Sequence, residues 1–297
     1  MRSLLVILAS LAVILLAALI PAPADKVTFL DIGQGDSILL QQGTAQVLID
    51  GGAGNTVLTR LGEELPYFDR TIEVVIATHP DKDHLEGLLH VLEKYQVSLV
   101  VLPHVPHTSQ LQAEWLSRLQ EAVEEKKIAY RFAVAGQQIT TGPLQLIVLN
   151  PVSEASATTS KTNNASVITR VDFSDLSLLL SGDAEVAVER DLVSRVDPAL
   201  LDVGVLKAGH HGSQTSTSQE LLDATTPQLV AISVGKDNSY GHPHPAIVAR
   251  LAAAHIPVIR TDEVGSIRFT HDGLQWLLAC GHQSLFPSQP KSCMKET

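Results

Sequence analysis

Residues 78–84 read Thr-His-Pro-Asp-Lys-Asp-His, directly after an apolar run made by Ile72, Val74, Val75, Ile76 and Ala77. The run has the length and β-branched content of a buried strand, so the polar residues behind it fall in a tight loop at a strand end. This constrains the fold, because His79, Asp81, Asp83 and His84 must converge at one edge of a sheet. Two imidazoles and two carboxylates in six positions are what a metal-activated water requires. Deprotonated side chains hold the ion while coordination positions stay open to solvent and substrate.

The chain is 297 residues long, enough for one large domain or two small ones. Residues 3–20 carry no charge and are almost all Leu, Ile, Val and Ala, with Arg2 before them and Pro21-Ala22-Pro23-Ala24 behind. As a signal peptide the segment has a positive start and an Ala-x-Ala ending. As an anchor it has the ~17–25 residues that a membrane helix needs. Its length favours an uncleaved anchor in the cytoplasmic membrane. Both readings keep Arg2 inside and place residues 25–297 outside the cytoplasm, anchored or secreted. Cys280 and Cys293 are the two cysteines; export would allow them to pair, and two free thiols are the alternative. Without residues 1–24 the chain holds 20 basic and 32 acidic residues. That balance argues against broad electrostatic binding of nucleic acid, although cations in a site can still neutralise phosphate.

The expected organisation is a segment at 1–24, a domain over 25–281 and a tail at 282–297. Alternating strands are predicted at 27–32, 37–41 and 47–50, with glycine-bearing turns between them. A strand at 72–77 feeds a helix at 85–94, and 97–102 is another buried strand. Leu111, Trp115, Leu119 and Val123 form one face of a helix over 109–127, capped by Thr108 or Ser109. The second half repeats the mixture, with strands near 166–173, 176–180, 201–207, 228–234, 265–270 and 274–279. Helices are expected near 185–195, 216–224 and 245–254. The pattern predicts two packed sheets with helices outside.

Several polar or glycine-rich segments follow apolar strands in the same way. They are Asp31–Ser37, Asp50–Gly52, Ser181–Asp183, Lys207–Ser213 and Tyr240–His244. Alone, Asp183 reads as a solvated turn residue. The adjacent His210 and His211 point in different directions, so one can reach a metal while the other faces substrate or protein. His242 is a further ligand or acid/base candidate. His90, His104, His107, His255, His271 and His282 read as ordinary surface or packed histidines.

The segments Asp31–Ser37, Asp50–Gly52, Thr78–Gly87, Asn163–Ser166, Ser181–Asp183, Leu206–Ser213 and Gly241–Pro245 occur in one order across residues 26–272. In this the chain resembles the metallo-β-lactamase superfamily, and within it the C-terminal domain of the ComEC/Rec2 competence DNA-uptake proteins. The resemblance implies an α/β fold, an αββα sandwich with its metal site at the rim where the sheets meet, here preceded by one apolar N-terminal helix. It implies His79, Asp81, Asp83, His84 and Asp183 as metal ligands, with Asp183 bridging two ions. Asn163 stands where many members have a further His, and Asp81 replaces the second His of the commoner loop. An oxygen-richer site favours harder ions, so Mn²⁺ rivals Zn²⁺ for the one or two divalent positions and Mg²⁺ is a third candidate. The strand end at Ser233-Val234-Gly235 lacks the last His ligand of related hydrolases, and His242 is expected to fold back into that role. His210 or His211 would then be the proton donor beside Asp83. Substrate contacts are expected from Gln34, Asp36, Asn163, Ser166, Lys207 and Ser213, with Lys207 helping to hold phosphate.

The first functional expectation is an extracytoplasmic phosphodiesterase, a DNase related to competence DNA uptake, using a metal-activated hydroxide. Hydrolysis of a smaller ester, lactone or amide is the second. A non-catalytic, membrane-tethered partner of a DNA-uptake machine is the third, opposed by the joint presence of His79, Asp83, His84 and Asp183.

Overall fold

The computed structural model describes residues 24–106, 109–155, 161–173 and 175–280. The apolar segment 3–20, Thr108, Cys293 and the tail at 282–297 lie outside the described residues. Among the described residues no helix is long and apolar enough to cross a membrane.

The first half runs β1 (Lys26–Phe29), β2 (Ile38–Gln42), β3 (Ala45–Ile49), α1 (Thr56–Glu64), β4 (Thr71–Ile76), α2 (Lys82–Lys94), β5 (Gln96–Leu102), α3 (Gln110–Lys126) and β6 (Ala129–Phe132). The second runs β7 (Gln138–Thr141), β8 (Leu144–Asn150), β9 (Ile168–Asp172), β10 (Ser177–Leu180), α4 (Val186–Arg195), α5 (Pro198–Leu201), β11 (Val205–Lys207), α6 (Gln219–Thr225), β12 (Leu229–Ile232), α7 (Pro245–Ala253) and β13 (Val258–Arg260). The chain then returns through α8 (Thr261–Val264), β14 (Ile267–His271) and β15 (Trp276–Cys280). One sheet has the order β15-β14-β1-β2-β3-β4-β5-β6, and the other β13-β12-β11-β10-β9-β8-β7.

Period-two alternation builds the layers. Ile38, Leu40, Val47, Ile49, Val74 and Ile76 point between the sheets and meet Leu146, Val148, Leu178 and Leu180 from the other side. Their neighbours Leu39, Leu48 and Val75 point outward against Leu61, Leu88 and Trp115 of α1, α2 and α3. Leu179 and Leu206 likewise point outward, against Leu192, Leu222 and Leu251 of α4, α6 and α7. The result is the expected order of layers, helices–sheet–sheet–helices.

The helix at 109–127 is capped by Ser109, whose side chain accepts from Gln112 N–H at 3.1 Å. The helix expected at 216–224 starts later, at Gln219, because Ser218 is its cap and accepts from Leu221 N–H. Residues 213–218 instead form a loop. Sequence reading did not single out α1, β7 or β13; the two strands are short, and α1 follows a glycine-rich turn.

Parallel pairing matters most for the site. β3, β4, β5 and β6 run parallel in one sheet, as do β10, β11, β12 and β13 in the other. Loops leaving the carboxyl ends of such strands gather at one edge, the usual place for a ligand. Close backbone contact locks that edge. A Cβ on Gly87 of α2 would lie 2.0 Å from the Gly51 carbonyl oxygen behind β3. Gly62 of α1 has nothing within 4 Å of its would-be Cβ.

These two glycines therefore make opposite predictions. Gly62→Ala should stabilise by about 0.5–1 kcal/mol through helix propensity. Gly87→Ala should destabilise despite the same gain, because two backbones must part. Urea midpoints of the two variants against wild type measure the signs, and a stabilised Gly87→Ala would show that the α2 contact is loose.

Candidate metal centre

The polar loops meet at the edge where the parallel strands end. Asp36, His84, Asp183 and His211 are all buried, and each brings one ligand atom within 4.8 Å of the others. His84 Nε2 lies 3.2 Å from Asp183 Oδ2 and 3.2 Å from His211 Nε2. His211 Nε2 is also 3.3 Å from Asp83 Oδ2 and 3.3 Å from Asp183 Oδ2. A second group borders the first, since His79 Nε2 is 3.9 Å from the same Asp183 oxygen and 3.8 Å from Asp81 Oδ2.

The outer nitrogens of these rings decide which way the lone pairs face. Asp50, fully buried just after β3, receives Thr78 N–H on Oδ1 at 2.7 Å and Thr78 Oγ1–H on Oδ2 at 2.6 Å. The same Oδ2 lies 2.8 Å from His84 Nδ1. Because Thr78 Oγ1 donates to Asp50, it accepts from His79 Nδ1, 3.0 Å away. His211 Nδ1 lies 3.0 Å from the Ser233 carbonyl oxygen, which can only accept. In all three rings Nδ1 therefore carries a proton toward the acceptor behind it, which leaves Nε2 as the atom turned toward the carboxylates. His79 Nε2 and Asp183 Oδ1 are buried without a hydrogen-bond partner. Facing lone pairs and orphaned donor atoms are what a divalent cation would satisfy, and the donor set fits one.

The protonation energetics agree. Burial, helped by the charge on His84, drives His79 down to about 3. Burial also opposes charge on His84 and His211, but Asp183, with Asp50 at His84 and Asp36 at His211, outweighs it. Both rings are pushed well above the ordinary imidazole range by these carboxylates. Asp183 is held well below the usual carboxylate range, as His211 and His84 overcome its burial.

The local backbone explains how these groups get there. Asp81 is the N-cap of α2 yet makes no capping bond. Its carboxylate instead accepts from Thr162 Oγ1 at 2.8 Å and faces His79. His210 and His211 both have left-handed backbone, with φ of 51° and 54°, which sends their adjacent rings apart at 71°. Buried Glu189 of α4 holds the loop behind them by accepting Thr217 N–H at 2.6 Å and Ser218 N–H at 2.8 Å.

Several expected residues take other places. His242 is not among the gathered ligand atoms; its ring centroid is 6.5 Å from His211 and 5.5 Å from His210, at the rim. His211, expected as a proton donor, occupies the inner position given to His242, because the Ser233 carbonyl fixes its ring from behind. His210 is the more open of the pair, 3.7 Å from Asp183 and close to the Asn163 amide at 3.4 Å.

Lys207, expected to help hold phosphate, does not face solvent. It is 1% exposed, 2.6 Å from Asp36 Oδ2, and donates to the Gly182 and Ala208 carbonyls at 2.8 and 3.0 Å. All three ammonium protons are thus spent inside the protein. Asp36 is equally interior; with Lys207 and His211 outweighing burial, it is held down to about 2. It faces the Nδ1 side of His84 and His211, behind the rings rather than among the lone pairs.

Gln34 is used structurally, its side-chain oxygen accepting from Gly235 N–H at 3.1 Å. Ser166 is buried, and its hydroxyl accepts from Asp183 N–H at 3.1 Å. Ser213 pairs with Thr215 at 3.1 Å. Of the six expected substrate contacts, Asn163 has its side-chain amide against the ring of the open histidine. Asp50 was absent from the candidate residues. Its signal was a carboxylate directly after the apolar run Val47-Leu48-Ile49, where solvation is lacking.

Residues 30–236 match the Metallo-beta-lactamase superfamily. The chain is 30% identical to ComE operon protein 3 of Bacillus subtilis over 292 residues, 92% of this chain and 36% of that protein. It is 30% identical to Recombination protein 2 of Haemophilus influenzae over 270 residues, 88% of this chain and 31% of that protein. The chain thus spans about a third of the length of these curated relatives. The metallo-beta-lactamase fold protein YhfI from Bacillus subtilis superposes with a TM-score of 0.55 at 12% identity, covering 82% of this chain and 99% of that one.

Two predictions follow from the ring geometry. Asp50→Asn should weaken divalent-metal affinity about 10–100-fold with the far-ultraviolet spectrum retained, since it loosens the His79 and His84 orientations together. Metal titration calorimetry checks this, and an unchanged affinity would remove Asp50 from the account. Because His84 and His211 hold protons that a cation must displace, loading should release protons and tighten as pH rises. Calorimetry in buffers of different ionisation enthalpy reads the proton count; zero release contradicts it.

Proposed function

Since the chain belongs to the metallo-β-lactamase superfamily, we propose that it is a metal-dependent phosphodiesterase whose substrate is DNA, working outside the cytoplasm. The observation that carries this reading is the shared Asp183 Oδ2, which faces His79 on one side and both His84 and His211 on the other. Two donor groups joined by one carboxylate would hold a pair of divalent cations. Bound there, divalent cations would supply a water of lowered pKa and neutralise charge on the phosphoryl oxygens.

The chain's own residues would do the rest. His79, Asp81 and Asp183 form one ligand set, and Asp83, His84, His211 and Asp183 the other. Asp50 and the Ser233 carbonyl keep the rings aimed. His210, open at the rim, is placed to give a proton to the leaving oxygen, and the Asn163 amide beside it to bind a phosphoryl oxygen. The first set has two carboxylates and a single imidazole, which favours Mn²⁺ over Zn²⁺.

DNA as the substrate is supported by a relative named for recombination and by the resemblance to competence DNA-uptake proteins. The acidic chain is compatible with this only because cations would meet the phosphate. Membrane attachment through residues 3–20 and an extracytoplasmic site belong to the same proposal.

The protein should cleave DNA when loaded with Mn²⁺, lose cleavage on chelation, and lose it by at least about 10²-fold in His84→Ala. Cleavage that persists in His84→Ala would point to a contaminant. Stoichiometric zinc after purification with no stimulation by Mn²⁺ would overturn the metal assignment.

A further inference from the structure

Beside the metal centre lies a cavity of about 190 Å³ whose wall includes His79, Pro80, Leu102, His104, Trp115 and Phe132. Its position follows from topology. β4 and β5 are parallel neighbours, so the residues after β5 (Pro103 to Val105) lie against the loop that carries His79. The centre and the cavity therefore share the His79-Pro80 wall.

We propose that this cavity takes the nucleobase next to the scissile phosphate; the inference rests on the nuclease reading and names the subsite that reading lacks. Three observations support it. The volume is below the ~300 Å³ at which pockets begin to take a drug-sized ligand, so one ring system fits and a larger body does not. Apolar and aromatic side chains dominate the walls, and exposed His104 stands beside Phe132 with ring centroids 4.6 Å apart. Trp115 is 1% exposed, yet its indole N–H has no acceptor among the described residues. A buried indole N–H ordinarily finds a partner. Every nucleobase offers both a ring face and an edge acceptor, whereas a purely aliphatic group offers neither.

In a nucleotide the base hangs one sugar away from its phosphate. A phosphate at Asp183 and a base against Trp115 are thus compatible across the shared wall. Stacking of this kind tolerates any base. A base held in a duplex cannot enter the cavity without leaving its partner, so single-stranded DNA or a frayed end is the preferred substrate.

Trp115 and Trp276 are the chain's two tryptophans, which makes occupancy readable without turnover. In a Trp276→Phe background, thymidine 5′-monophosphate should quench the remaining emission saturably, and 2-deoxyribose 5-phosphate should not. Equal responses to both, no response to either, or quenching by a small lactone alone would overturn the subsite.

Turnover gives a second reading. On Mn²⁺-loaded wild type, a single-stranded oligonucleotide should lose about tenfold or more in kcat/KM at the phosphate beside a tetrahydrofuran abasic position, the scale of one lost base–aromatic stack. Trp115→Phe, which keeps an aromatic ring but removes the pyrrole portion with its N–H, and Phe132→Ala at the mouth should each bring that ratio toward one. A wild-type ratio of one sinks the base subsite and leaves the nuclease reading standing. Cleavage of neither strand sinks the nuclease reading, and the fluorescence titration still decides the cavity.

Discussion

A single buried carboxylate, Asp50, governs the candidate metal centre. It receives the Thr78 amide, the Thr78 hydroxyl and His84 Nδ1 within 2.8 Å, and through Thr78 it also sets His79. Two rings of the centre thereby acquire one tautomer and one orientation from one side chain. A carboxylate without solvent must be satisfied by donors, and the donors nearest at hand belong to the loop that follows β4. Asp50 takes left-handed backbone, with φ of 59°, a conformation that Asp tolerates better than most residues.

The two halves of the chain meet at this edge through a short set of polar contacts. Asp36 from the first half pairs with Lys207 from the second. Gln34 reaches Gly235, and Val167 N–H donates to the Thr78 carbonyl at 2.9 Å. A buried pair such as Asp36–Lys207 is weak evidence for stability, since desolvating both charges offsets most of their attraction. Its consequence here is positional. It brings the β11 end up against the first sheet, so His211 arrives with Nε2 3.2 Å from His84 Nε2. Lys207, conspicuous in the sequence beside two histidines, thus holds the frame of the site rather than the substrate.

Much of this was legible from residues alone. The strand run ending at Ala77 placed His79 and Asp81 in the loop behind it, whereas Asp83 and His84, expected in that same loop, lie on the first turn of α2; strands interrupted by helices in both halves carried the two-sheet arrangement. Asp183 was visible only through the order of motifs, since alone it reads as a surface turn. Which histidine stands inside could not be read, because His210 and His211 are adjacent and His242 lies in an equally polar loop. The choice depends on left-handed backbone at 210 and 211 and on a carbonyl 22 residues later. Asp81 shows the same dependence on tertiary contacts, because a side chain that could cap α2 is turned to Thr162 and His79 instead.

By itself the sequence determined the inventory: strand-end loops with two imidazoles and several carboxylates, layered elements around them, and an apolar segment in front. Periodicity and local spacing are properties of consecutive residues, so a reader of the chain has them in full. Only the tertiary structure decided which atoms face one another. His84 and His211 are 127 positions apart, and their approach is set by the register of two sheets and by buried donors behind each ring. Lone-pair direction, the interior place of Lys207 and the ring-lined cavity beside His79 all depend on distances between residues far apart in the chain.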